Sequence, residues 1–80
     1  MARIEIGQHL AIDPRVCGGR LIFKGTRILV YDAIEMIRLG MTPRKVARAY
    51  RGLITTAAVS EAVSLVRRGL VREIDKKPAA

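Results

Sequence analysis

The stretch TPRKVARAYRGLITTAAVSEAVSLVRRG, residues 42–69, decides the fold. Thr42 suits a helix N-cap, because its hydroxyl oxygen can accept an amide of the first turn. Pro43 suits the first helical position, where a missing N–H costs nothing. Val46, Ala47 and Tyr50 recur at i, i+1 and i+4, which predicts one apolar face on a helix over residues 43–50. A break at Arg51-Gly52-Leu53-Ile54 follows, and Thr55 offers a second cap. Val59, Ala62, Val63 and Val66 then fall at i, i+3, i+4 and i+7, the buried stripe of a longer helix. That helix runs to Arg68 and stops at Gly69. A short helix, a tight break and a longer helix form the layout of a helix-turn-helix, whose second helix enters the major groove of DNA.

N-terminal to this stretch the period is also helical from residue 31. Asp32 and Glu35 have the spacing of a capping box, Ala33, Ile34 and Ile37 face inward, and Gly40 stops the helix. Earlier still the pattern changes. Residues 4–12 read as one or two short strands ended by Asp13-Pro14, since proline lacks an N–H and restricts its neighbour. Cys17-Gly18-Gly19 reads as a turn. Leu21-Ile22-Phe23 and Arg27-Ile28-Leu29-Val30, joined through Lys24-Gly25-Thr26, read as a β-hairpin. At the other end, residues 70–74 read as a last strand or extended tail. The expected fold is therefore mainly α: a three-helix, helix-turn-helix-like bundle with a short N-terminal β-hairpin element. The expected division is a β element at 1–30, the bundle at 31–74 and a flexible tail at 75–80.

The chain has 80 residues, enough for one small core, and at that size dimerisation would help stabilise it. Fifteen basic and seven acidic side chains give a formal charge of +8. A surplus of that size points to a polyanionic partner, nucleic acid first. It is uneven: residues 1–40 carry six basic and four acidic side chains, residues 41–80 nine and three. The second half is therefore where a nucleic-acid face is expected. A single cysteine excludes an intrachain disulfide and fits a reducing cytoplasm. No apolar run reaches membrane-spanning length.

Chemistry-bearing groups are sparse. His9, Asp13 and Cys17 make a weak metal-ligand set, and a satisfied histidine at a strand edge is the better reading. The carboxylates are scattered, with no pair suited to acid–base work. Gly25-Thr26-Arg27 resembles a phosphate-binding turn, but turn geometry explains it as well. No enzyme activity, metal or cofactor is expected. On the helix-turn-helix reading, Thr55, Thr56, Ser60 and Ser64 lie on the reading helix, next to Ala57 and Glu61. Arg44, Lys45, Arg48 and Arg51 would straddle the DNA backbone, and Ser60, Glu61, Ser64, Arg67 and Arg68 all point away from the buried stripe. That helix lacks an Arg, Asn or Gln near its start, the usual base readers.

Three motifs carry a family resemblance: Ile12-Asp13-Pro14, Val16-Cys17-Gly18-Gly19 and Gly25-Thr26-Arg27-Ile28-Leu29-Val30. With Gly40-Met41-Thr42, Val46-Ala47, Tyr50 and Leu53-Ile54-Thr55, they resemble the prokaryotic family called domain of unknown function 433, over roughly residues 8–66. Two departures stand out. Arg20-Leu21 replaces a common Lys-Pro, and Arg51-Gly52 follows Tyr50 where the family often has proline. The resemblance implies a dimeric fold with a β element and a helix-turn-helix-like bundle. It also implies a likeness to VapB-type antitoxins encoded beside a toxin with a PIN-like ribonuclease domain. By that likeness the chain would bind operator DNA, repress its operon and neutralise the toxin. The alternative is a protein-only module that inhibits a partner without reading DNA.

Overall fold

The computed structural model describes residues 3–69. Three strands come first: β1 (Ile4–Ile6), β2 (Leu10–Ile12) and β3 (Leu21–Phe23). Three helices follow: α1 (Val30–Arg38), α2 (Pro43–Ala49) and α3 (Thr56–Arg67). The strands form one antiparallel sheet in the order β1-β2-β3, with Ile6 opposite Leu10 and Leu10 opposite Phe23. The fold is thus three helices with a three-stranded N-terminal antiparallel sheet, where the expected fold class names only a short hairpin element.

The hairpin read across residues 21–30 does not form as a ladder. Only Ile22 and Leu29 pair, as an isolated bridge. The cause is local. The Thr26 hydroxyl donates to the Phe23 carbonyl at 2.8 Å and accepts the Ile28 amide at 2.9 Å, curling the chain tightly. The Ala33 amide already reaches back to the Leu29 carbonyl, so Val30 is helical rather than extended. β3 pairs instead with β2, across a connection braced where the Asp13 carboxylate accepts the Arg15 amide.

Leu29, not Asp32, is the cap residue of α1, and it supplies no side-chain bond. Asp32 sits inside the first turn, where a carboxylate complements the positive end of the helix dipole. Glu35 pairs with Arg38 at 2.6 Å instead of closing a capping box. The other two caps form as the sequence indicates. Thr42 accepts the Lys45 amide at 3.2 Å, and Thr55 accepts the Ala58 amide at 3.0 Å. α1 ends at Gly40, whose amide reaches the Ile37 carbonyl while Met41 reaches Met36.

One hydrophobic cluster joins sheet and helices. Leu10 and Phe23 from the strands meet Val30, Ala33, Val46 and Val59 from the helices. On α3 the buried positions are Ala58, Val59 and Ala62, while Val63 and Val66 are half-buried. The buried stripe is therefore rotated toward the sheet relative to the sequence reading, and one edge of α3 stays open. No described helix is long and apolar enough to cross a membrane. The tail expected over residues 70–80 lies outside the described residues.

Candidate nucleic-acid interface

The turn between α2 and α3 sets the site. Tyr50 ends α2, and Arg51 follows in the left-handed conformation, φ +57°. The Arg51 amide bonds to the Arg48 carbonyl at 2.9 Å and the Gly52 amide to the Ala47 carbonyl at 3.3 Å. These two bonds make the helix-ending motif that normally places glycine where Arg51 stands. The glycine comes one residue later, at φ +78°. Ile54 is buried, anchoring the far side of the turn, and Thr55 then starts α3.

This geometry gathers four of the eight residues singled out in the sequence. Arg44 and Arg48 from α2 and Thr55 and Thr56 from the start of α3 line one shallow depression. The Thr55 oxygen is engaged as the cap, which leaves its O–H free to donate. Ser60 and Ser64 line a second groove, further along α3. Thr56, Ser60, Ser64 and Arg67 follow one another at i, i+4, i+8 and i+11, and all four are exposed. They form one outward face of α3. Lys45 and Arg51 are exposed but line neither depression.

One side chain falls elsewhere than expected, and two more join the second groove. Arg67 and Arg68 lie off the buried stripe, as expected, and border the same groove as Ser60 and Ser64, although the sequence reading does not place them in the site. Their spacing, one helical turn beyond Ser64 and two beyond Ser60, is the signal that would have found them. Glu61 does not share the outward face. Its carboxylate turns to the β1–β2 turn and accepts the Gln8 amide at 2.9 Å and the His9 amide at 2.8 Å. It also contacts the His9 Nδ1 at 2.9 Å. Burial works to raise the Glu61 pKa, but the Gln8 amide and the His9 ring and amide outweigh it, so the carboxyl is held below its ordinary value. Gly7 makes this approach possible: a Cβ there would lie 2.5 Å from the Glu61 Oε2, on a backbone of φ +64°.

The remaining described carboxylates also have uses within the fold. Glu5 pairs with Arg3 and Lys24, Asp13 with Arg15, and Glu35 with Arg38. Asp13 is held below its ordinary pKa chiefly by the Arg15 amide, then by the Arg15 side chain. Tyr50 is half-buried, and burial followed by the Asp32 charge pushes its phenol up, keeping it neutral. No ion pair reaches Arg44, Lys45, Arg48, Arg51, Arg67 or Arg68 among the described residues.

The other sequence candidates are accounted for by local structure. His9 is held by Glu61, Asp13 by Arg15, and the Cys17 thiol donates to the Arg27 carbonyl at 3.4 Å. The described residues bring no three potential metal ligands together. Thr26 spends both hydrogen-bonding capacities on its own turn.

A family model described as a protein of unknown function, DUF433, matches residues 10–65. The chain belongs to the DUF433 family. The match spans β2 through most of α3, so it covers the depression at the start of α3 and all of the second groove but Arg67 and Arg68, while Gln8 and His9, which Glu61 holds, lie just outside it. No curated protein and no solved structure matches this DUF433 chain.

Proposed function

We propose that this DUF433 chain is a non-enzymatic DNA-binding repressor, with α2 and α3 acting as a helix-turn-helix. The observation that carries the reading is the set of cations around the start and outward face of α3 that form no ion pair among the described residues. Phosphate contacts from Arg44, Lys45, Arg48 and Arg51 would supply affinity, and counterion release would make binding salt-dependent. Thr56, Ser60 and Ser64 would reach base edges and supply selection. Arg67, one turn beyond Ser64, extends the basic path along the same face. A homodimer would set two copies of α3 about one DNA turn, roughly 34 Å, apart on a palindromic operator.

The family likeness extends the reading to an antitoxin-like role, in which the chain also neutralises a PIN-like ribonuclease toxin encoded beside it. The competing reading is a protein-only inhibitor. It is favoured by the lack of Arg, Asn or Gln in the first turns of α3. Fluorescence anisotropy with a labelled duplex from the chain's own upstream region separates the two. The DNA reading expects binding that weakens steeply from about 50 to 300 mM salt. Absence of binding at the low end, or binding indifferent to salt, contradicts it and leaves the inhibitor.

A further inference from the structure

The groove along the open edge of α3 differs in chemistry from the depression at its start. Its floor is apolar: Ile37 from the last turn of α1, Met41 and Pro43 from the connection into α2, and Val63 from α3. Ile37, Met41 and Val63 pack against the core cluster yet stay half-buried, so each keeps surface to offer. Its rim is cationic. Arg67 and Arg68 are exposed, border it and form no ion pair among the described residues. Among the described residues no carboxylate lines it. Its volume is about 520 Å³. From Ser60 to Arg68, the cap residue of α3, it spans nine residues, roughly 12 Å, about two helical turns.

We infer that this groove receives an acidic, amphipathic helix from a partner protein. Apolar side chains spaced at i and i+3 or i+4 would fill the floor, and carboxylates on their flank would meet Arg67 and Arg68. Charge decides among the occupants. A second copy docked about a two-fold axis would set its own Arg67 and Arg68 against these, with no acidic group among the described residues of the groove to offset them. Duplex DNA would satisfy the rim but leave the floor without a partner. An acidic helix satisfies both. The groove shares Ser60, Ser64 and Arg67 with the face proposed for DNA, so the two ligands would compete there; the duplex experiment reports on Arg44 and Arg48 and this one on Val63, so either can fail alone.

The test uses the full chain, with isotope-labelled methyl groups, and two helical probe peptides of about 14 residues, roughly four turns. One carries Leu at i and i+4 flanked by Glu. The other has every Glu replaced by Lys. The acidic probe is expected to shift the Ile37, Met41 and Val63 methyl signals saturably, with the basic probe at least about tenfold weaker. Arg67→Glu combined with Arg68→Glu, two exposed positions whose change leaves the core intact, is expected to reverse that preference. Equal binding of both probes overturns the inference, as does no saturable shift at about 1 mM acidic probe. So do shifts confined to the Arg44 and Arg48 side. Isotope-filtered contacts showing residues 70–80 or a second copy already seated on Val63 overturn it too.

Discussion

The sheet half and the α2–α3 half hold the same number of cations and use them differently. Residues 3–38 contain six basic side chains and four acidic ones; residues 41–69 contain six basic and one acidic. In the first half, Arg3, Arg15, Lys24 and Arg38 are tied to carboxylates beside them. In the second half the single carboxylate, Glu61, is turned away from the cations and spent on the sheet. Four of the six cations of one half are therefore paired within the fold, and none of the six of the other is, among the described residues. Total charge does not reveal this; the placement of a few acids does.

The comparison breaks most visibly through charge reversal. Arg44→Glu with Arg48→Glu should weaken duplex binding about 100-fold or more at low salt, because two phosphate contacts become two repulsions. Arg3→Glu with Arg27→Glu, in the sheet half, should change it less than about threefold, since neither lies near α3's outward face. Both pairs are exposed, so thermal unfolding should confirm that each variant stays folded.

The clamp that removes Glu61 from the surface gives the next largest effect. Glu61→Ala leaves two backbone amides and the His9 ring without their acceptor, a loss of about 2–3 kcal/mol in urea unfolding. Gly7→Ala strikes the same contact, so the two changes should cost less together than the sum of their separate costs. The pH dependence has a definite sign. The Glu61 pKa is lowered on folding, so its contribution is present above the unfolded value of about 4.3. That contribution is lost as pH falls through the lower folded value. Glu61→Gln should flatten the acid limb of the stability profile; an unchanged limb would mean the clamp contributes nothing.

Much of the α2–α3 half was legible before the structure because its signals are local. Thr42-Pro43 and Thr55 act on amides three residues away, and Gly40 and Gly69 stop helices by their own backbone conformation. The sheet half was read less well. Ile28-Leu29-Val30 has the β-branched content of a strand, but Thr26 closes the turn first and Val30 goes to α1. Asp32 and Glu35 have capping-box spacing, yet the helix begins two residues ahead of Asp32. Glu61 was unreadable for another reason: its partners lie 52 and 53 residues away. Of the candidate interface, all eight residues are exposed, but one depression joins only four of them.

Two finer effects sharpen the picture within the second half. Thr56→Ala and Ser60→Ala should alter the ranking of operator sequences more than the total affinity, measured as binding to a panel of single-base variants. Uniform weakening across the panel would remove them from base reading. Arg51→Gly should raise stability by about 0.5–1 kcal/mol, since glycine takes the left-handed position without the strain an arginine bears there. It should weaken DNA binding slightly through the lost charge. No gain in denaturation midpoint would show that the turn accommodates Arg51 without cost.

The most direct test of the central claim is the slope of log affinity against log salt for one duplex, measured on single alanine variants from the two halves. Arg44→Ala and Arg48→Ala should each lower the slope by about 0.9, and Arg3→Ala and Arg27→Ala should leave it unchanged. If all four lower it alike, or none does, the unpaired cations beside α3 are not what meets the polyanion.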